Sequence, residues 1–101
     1  MNSSQMQIFN TEPNFPAPRV TETDVDAAIR FDDYQVLRDG RTTICTLVLD
    51  NGFTVRGESS CVSIANFDAD VGQRIAYKNA RDKVWQLLGF RLADKLAAQK
   101  R

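Results

Sequence analysis

Three basic side chains on one predicted helix could bind a phosphorylated ligand. Arg74, Lys78 and Arg81 are spaced four and three residues apart, so they project from one side of a helix. Arginine can hold phosphate oxygens through two parallel hydrogen bonds. The alternative is a solvated ion-pair face, in which Asp70 pairs with Arg74 and Asp82 with the lysine. The spacing alone does not decide between the two.

A donor-rich connection precedes the same helix. Ser59, Ser60 and Ser63 lie between a strand pattern and the helix start, where backbone N–H groups and the helix dipole favour anions. Asn66 adds an amide to this segment. Serine is equally ordinary in any connection, so a plain loop is the competing interpretation.

Composition argues against most catalytic and metal chemistry. The chain has no histidine, the side chain that most often serves as general base and metal ligand near neutral pH. Basic and acidic residues number 13 each, so no net charge attracts long nucleic acid or an anionic membrane. No glycine-rich phosphate loop, GxSxG or HExxH pattern occurs. We expect a protein that is not an enzyme and has neither a metal nor a cofactor.

The hydrophobic pattern predicts a polar arm followed by one domain. Residues 1–20 contain all three prolines and no hydrophobic period, so we expect a flexible N-terminal arm. Residues 21–101 form a single domain with one modest core. A short helix is predicted over 24–30 with Thr23 as N-cap. A first strand follows around Tyr34 and Val36 and ends at the turn 38–41.

Residues 42–49 and 53–61 predict a β-hairpin. A two-residue loop at Asn51-Gly52 would pair Asp50 with Phe53 and put a carboxylate on the apolar side. A three-residue loop with Gly52 in the left-handed conformation makes one face apolar instead, and we favour it. Its register consists of the pairs Leu49–Phe53, Leu47–Val55 and Cys45–Gly57.

A long helix is predicted from about residue 68, with Asn66 or Asp68 as N-cap. Its large apolar residues are Phe67, Val71, Ile75, Val84 and Trp85, and we expect the tryptophan to be largely buried. A second set of small residues recurs every four positions: Gly72, Ala76 and Ala80. These small residues indicate close approach of the helix backbone, either to the sheet or to a helix of another subunit.

Gly89 interrupts the helical pattern, so the chain after it is predicted to be a second helix or a bent continuation. The expected fold class is therefore α+β. It comprises an antiparallel sheet of about three strands, with a short N-terminal helix and two C-terminal helices packed on one face. Cys45 and Cys61 lie in strand-like runs, so we expect both to be reduced and buried; a disulfide between the strands is the alternative.

The order of short motifs resembles a family of small tailed-phage proteins known from podophages. The motifs are NGF at 51–53, ESSCV at 58–62, ANFD at 65–68, then Gly72, Trp85 and LLGFRL at 87–92. The family pattern reads NGF, G/S-E-S-x-C-V, NFD, K-x-W and EGY-x-L, and the resemblance covers about 42–96. Leu88 stands where the pattern has Glu and Phe90 where it has Tyr, so a polar contact is absent there.

That phage family is in turn similar to the Thoeris anti-defence sponges. These are non-enzymatic phage proteins that sequester cyclic ADP-ribose isomers made by bacterial TIR-domain immune enzymes, and some relatives trap small cyclic oligonucleotides. The resemblance implies a homo-oligomer with an antiparallel sheet, two helices and nucleotide pockets at subunit interfaces. It also implies action in the host cytoplasm, and the chain shows neither a signal peptide nor a run of eighteen apolar residues.

On this interpretation the protein binds a small phosphorylated nucleotide. The basic side chains hold phosphates, serine and asparagine donate hydrogen bonds, and a phenylalanine stacks on the base. The expected ligand-binding residues are Arg74, Lys78, Arg81, Ser59, Ser60, Asn66, Phe67, Phe90 and Arg91. The alternative is a phage accessory protein that inhibits or modifies a host protein through its sheet edge or helix.

Overall fold

The computed structural model describes residues 17–100, and the predicted arm therefore lies almost entirely outside the described residues. The elements are α1 (Glu22–Ala28), β1 (Ile29–Val36), β2 (Thr42–Leu49), β3 (Thr54–Ser60), a 3-10 turn (Ile64–Asn66) and α2 (Ala69–Gln99). The strands form an antiparallel sheet in the order β1-β2-β3. The predicted α+β class and the antiparallel sheet are confirmed.

α1 begins two residues earlier than predicted. Thr21, not Thr23, is the N-cap: its hydroxyl accepts a hydrogen bond from the Asp24 amide, and the Asp24 carboxylate accepts one from the Thr21 amide. This reciprocal capping box satisfies two helix-end donors. The helix ends at Ala28, because Ile29 already adopts extended backbone and starts β1.

The hairpin register is confirmed. The structure pairs Cys45 with Gly57 and Leu47 with Val55, and the Leu49 amide donates to the Phe53 carbonyl at 2.8 Å. Gly52 has φ +88°, the left-handed conformation that the three-residue loop needs. The choice between the two loops could be made from the sequence because only one register keeps the carboxylate of Asp50 off the apolar face.

α2 is one continuous helix of 31 residues, so the predicted division at Gly89 is wrong. Gly89 has no heavy atom near the position of a missing Cβ, and it does not end the helix. Glycine disfavours a helix by about 1 kcal/mol, which the many flanking helix formers offset. The N-cap is Asp68, whose carboxylate accepts from the Asp70 and Val71 amides.

The small-residue face of α2 packs on the sheet. The buried helix residues are Gly72, Ala76, Ala80, Val84 and Leu88, and they cover Cys45, Leu47, Leu49 and Val55 of the hairpin. A Cβ added at Gly57 would overlap the backbone of Ala76 and Ala80. The prediction that the helix backbone lies tight against the sheet is therefore confirmed.

Two large apolar residues of α2 were assigned to the wrong face. Val71 and Ile75 are 39% and 46% exposed, because the glycine and alanines allow a closer approach than branched side chains would. Trp85 is half-buried against the core rather than largely buried. Beneath Gly72, the buried hydroxyl of Thr43 has no hydrogen-bond partner among the described residues.

Both cysteines are free thiols, as predicted. Cys45 is buried, and burial raises the pKa of its thiol above the ordinary value. Cys61 is only half-buried, which corrects the expectation for that residue. Its thiol donates to the Ser63 carbonyl at 3.2 Å.

Candidate functional site

A cleft of about 520 Å³ opens between β1 and the first half of α2. We call it the β1–α2 cleft, and its lining residues are Asp32, Tyr34, Asp70, Gln73, Arg74 and Tyr77. Its volume lies within the range of about 300–1,000 Å³ that is usual for small-molecule sites, but four of its six lining residues are exposed, so it is a shallow cleft rather than an enclosed pocket.

Strand and helix periodicity bring these side chains together. Asp32 and Tyr34 are two residues apart on β1, so both point to the face of the sheet that α2 covers. Positions 70, 73, 74 and 77 follow the three- and four-residue spacing of one helix face. The cleft therefore joins one side of an edge strand to one side of a helix.

Tyr34 is the best-fixed side chain of the cleft. Its hydroxyl donates a hydrogen bond of 2.9 Å to the Asp32 carboxylate, and its ring packs against the core. Burial raises the pKa of Tyr34 above its ordinary value, and the hydrogen bond to Asp32 raises the pKa further. The phenol consequently stays neutral at physiological pH and holds the carboxylate in place.

Arg74 is the cation of the cleft. It makes no ion pair within the part of the chain that the structure describes, so the predicted pair with Asp70 does not form. Its guanidinium faces a cleft that also contains the carboxylates of Asp32 and Asp70. Two negative groups and one positive group leave the site with a small negative charge.

Arg81 serves a different purpose from the one predicted. Its Nη1 donates to Asp26 Oδ1 at 2.5 Å and its Nη2 lies 3.4 Å from Glu22 Oε1, both on α1. The side chain is only 15% exposed, and the hydrogen bond to Asp26 raises the pKa of Arg81. This guanidinium therefore joins α1 to α2, and both of its terminal nitrogens already contact carboxylates.

Lys78 is consistent with the ion-pair alternative. Its ammonium lies 3.3 Å from the Asp82 carboxylate, and the side chain is 74% exposed. The predicted Lys78–Asp82 pair is thus present. The three basic residues therefore do not form one site. Arg74 lines the cleft, Lys78 is in an exposed ion pair, and Arg81 connects α2 to α1.

The serine-rich connection surrounds a separate and smaller cleft. This β3–α2 cleft has a volume of about 110 Å³, and Ser59, Ser60, Asn66 and Phe67 contribute to it. Asp68 also lines the cleft and already occupies the helix-end amides of Asp70 and Val71. The anion site expected here is disfavoured, because the helix terminus is capped by a carboxylate.

Phe90 and Arg91 lie far from the other predicted site residues. Phe90 is 16 positions after Arg74 on one helix, which corresponds to about 24 Å. Its ring is 71% exposed. Arg91 lines a third cleft together with Val20 and Leu92, among others. The nine predicted residues are therefore spread over three clefts, the contact between α1 and α2, and the solvent-exposed helix surface.

Sequence reasoning missed Asp32 and Tyr34, Gln73 and Tyr77, and also Asp70, as lining residues of this cleft. The i, i+2 spacing of the first pair and the i, i+4 spacing of the second were visible in the sequence. What the sequence did not show is that Asp32 and Tyr34 of β1 line a cleft with the first half of α2, in addition to the smaller cleft that the serine-rich connection lines.

The described residues also contain neither a cluster of metal-binding groups nor a membrane-spanning helix. No group of three or more potential metal-ligating side chains comes together within residues 17–100. None of the helices in that range is both long and apolar enough to cross a lipid bilayer.

Comparison with known proteins gives one match. The model of the phage protein (N4 Gp49/phage Sf6 gene 66) family matches residues 20–96, which is more than half of the chain. No curated protein and no solved structure matches.

Proposed function

The chain belongs to the N4 Gp49/phage Sf6 gene 66 family of phage proteins, and from that premise we propose that it binds a small cyclic signalling nucleotide without altering it. The ligand class is a cyclic ADP-ribose isomer or a small cyclic oligonucleotide. Sequestering such a signal would block bacterial immune signalling, as the resemblance to the anti-defence sponges implies. Such signals are made inside the bacterium, so the proposed place of action is the host cytoplasm.

The composition of the β1–α2 cleft is the observation that carries the proposal. Arg74 can bind a phosphate through two hydrogen bonds. Tyr77 and Tyr34 offer aromatic surface to a base, and Gln73 offers an amide donor and acceptor. Carboxylates accept hydrogen bonds from hydroxyl groups, so Asp32 and Asp70 suit the hydroxyls of a ribose.

The charge balance of the cleft favours a weakly charged, hydroxyl-rich ligand. Within the described part of the chain, one guanidinium and two carboxylates line the cleft, so each additional phosphate would experience repulsion that no second described cation offsets. A cyclic ADP-ribose isomer has two riboses and two phosphates, whereas a cyclic trinucleotide has three phosphates. We therefore expect the cyclic ADP-ribose class to bind more tightly.

Calorimetry on the purified protein tests the proposal. Cyclic ADP-ribose isomers and cyclic di- and trinucleotides are titrated against the wild-type protein and Arg74→Gln. We expect Arg74→Gln to weaken binding at least tenfold with an almost unchanged Tm, because Arg74 makes no ion pair in the described residues. Lys83→Gln, an exposed lysine of the same helix that does not line this cleft, is the matched control.

Recovery of the ligand tests the absence of turnover. Heat denaturation of the saturated complex should release the nucleotide chemically intact, in an amount that matches the bound amount. A hydrolysed product, or the lack of any binding across the ligand series, would refute stoichiometric sequestration.

We propose in addition that the protein self-associates. The sheet ends at β1 on one side and at β3 on the other, with no further strand in the described residues, and open strand edges are common sites of association between subunits. Light scattering at micromolar concentration should give a mass above the 11.4 kDa of one chain. The monomer mass would contradict this proposal without affecting ligand binding.

A second candidate function is an interaction module that inhibits or modifies a host protein. The specific observation in its favour is the same open strand edge of β1. Failure of every nucleotide to bind, together with binding of a defined protein segment to that edge, would favour this alternative.

A further inference from the structure

The outer edge of β1 presents unpaired backbone groups. The Leu37 amide donates to the Thr42 carbonyl at 2.9 Å, which sets the alternation of hydrogen-bonded pairs along β1 and β2. By that alternation Asp33 and Gln35 bond to β2, and the N–H and C=O groups of Asp32, Tyr34 and Val36 point away from the sheet. No described strand lies outside β1.

The side chains near the middle of this edge are mainly acidic. Asp32 lies on the helix side of the sheet, Asp33 lies on the opposite side, and Asp70 faces Asp32 across the cleft. Among residues 17–100, Arg74 is the one cation that lines the cleft, and Arg30 lies near the start of β1. An added strand would thus meet a carboxylate on each of its two faces.

Exposed apolar side chains flank the acidic centre. Phe31 is exposed near the start of β1 and Val36 at its end. β1 is eight residues long, and an edge of this length and exposure is normally protected by lysines, prolines or a covering segment. β1 carries neither a lysine nor a proline. Its register shifts between Ile29 and Phe31 and the charged side chain of Asp32 points inward, so the regular open edge is the part from Asp32 to Val36.

From these observations we propose that the edge of β1 binds an extended basic segment of a partner protein as a fourth, antiparallel strand. The partner's backbone would pair with Asp32, Tyr34 and Val36, and its lysine or arginine side chains would face the carboxylates of Asp32, Asp33 and Asp70. Main-chain pairing gives affinity in such complexes, and alternate side chains give specificity.

This inference goes beyond the proposed nucleotide binding. A strand on the edge of β1 would cover the mouth of the β1–α2 cleft, so the two ligands should oppose each other's binding by an equal factor. Both ligands would use the carboxylates of Asp32 and Asp70, but only the strand pairs with the backbone of β1, so changes to backbone groups test strand binding separately from nucleotide binding.

Synthetic octapeptides are the direct probe. A peptide of alternating lysine and threonine is compared with its glutamate–threonine counterpart by fluorescence anisotropy against the full chain. We expect the lysine peptide to bind at least tenfold more tightly. Equal binding of the two, or no binding of either, would overturn the proposal.

Backbone methylation separates strand pairing from simple charge attraction. Methyl groups on alternate amide nitrogens of the lysine peptide remove the donors of one edge while the charge stays the same. Two such peptides, methylated on the odd or the even positions, cover both alignments. We expect at least one of them to bind tenfold more weakly; unchanged binding of both would reject a strand-pairing mode.

Val36→Pro tests the protein side of the pairing. Proline removes an outward N–H without removing a bond to β2, so peptide affinity should fall at least fivefold. Val36→Ala keeps the N–H and is the matched control, and nucleotide affinity should be unchanged in both because Val36 does not line the cleft. If Val36→Pro fails to fold, Asp33→Lys replaces it and should shift preference toward the glutamate peptide; an unshifted preference would reject the proposal.

Discussion

The two edge strands of the sheet, β3 and β1, differ in how closely α2 packs on them. At the β3 edge, α2 packs directly on Gly57, and the Asn79 amide donates to the Glu58 carbonyl at 2.8 Å. At the β1 edge, α2 stands away and leaves a cleft lined by Asp32 and Tyr34. Close packing at one edge is thus accompanied by an open site at the other, because one helix cannot cover three strands equally.

The β3 edge should be the most sensitive point of the fold. Gly57→Ala adds a Cβ that overlaps the backbone of Ala76 and Ala80, which cannot move aside like a flexible side chain. Overpacking usually costs about 1–3 kcal/mol and occasionally more, and we expect a loss of about 3 kcal/mol or more in urea denaturation. A loss below 1 kcal/mol would show that α2 can shift away from β3.

Gly89→Ala is the matched control for that variant. Its added Cβ meets no neighbouring atom, and alanine favours a helix over glycine by about 1 kcal/mol. The same substitution should therefore stabilise the protein at one position and strongly destabilise it at the other.

Thr43→Val, in the closely packed region beneath α2, should increase the stability of the protein. The Thr43 hydroxyl is buried beneath Gly72 without a hydrogen-bond partner in the described residues, and such a group costs about 1–3 kcal/mol. Valine has nearly the same shape, so we expect a gain of about 1–2 kcal/mol in chemical denaturation. Thr54→Val, at an exposed strand position, should change stability by less than about 0.5 kcal/mol; a loss at position 43 would reveal a hydrogen bond to the hydroxyl.

Near the open β1 edge, Arg81→Met should lower the free energy of unfolding moderately. The substitution removes the ion pairs from α2 to Asp26 and Glu22, whose carboxylates are largely exposed, so the loss should be about 1 kcal/mol. Lys78→Met, which removes an exposed pair with Asp82, should cost less than about 0.5 kcal/mol. Equal losses for the two would contradict a structural role for Arg81.

The smallest expected effect on stability is that of Asp39→Asn in the β1–β2 turn, and it should appear only at acidic pH. The Thr42 hydroxyl and the Arg41 amide donate to Asp39, which lowers its pKa below the ordinary value of 3.8. The ionised group therefore stabilises the fold above about pH 4, and this contribution is lost as the pH falls through the folded pKa. Asp39→Asn should flatten the decline of Tm below pH 4 and leave the profile near pH 7 unchanged in slope.

The sequence was sufficient to predict features that depend on one element or on two neighbouring elements. The hairpin register followed from the single arrangement that keeps Asp50 away from the apolar residues. The close packing of Gly72, Ala76 and Ala80 followed from their four-residue spacing. These features depend on short-range periodicity and turn geometry, which the sequence contains.

The candidate site could not be predicted in the same way, because it depends on which elements meet. Arg81 looked like a phosphate ligand until α1 placed two carboxylates beside it. Val71 and Ile75 looked like core residues until the smaller side chains took the sheet-facing side. Gly89 looked like a helix end, although helix formers on both sides override one glycine.

The position of α2 in the chain also affects how the protein is made. The apolar face of the hairpin is complete once Ser60 has been added, but its cover extends to Leu88. At synthesis rates of about 5–20 residues per second, that interval lasts roughly one to six seconds. During this time the nascent hairpin exposes Cys45, Leu47 and Val55, so a newly made chain is most vulnerable to aggregation just before its last helix arrives.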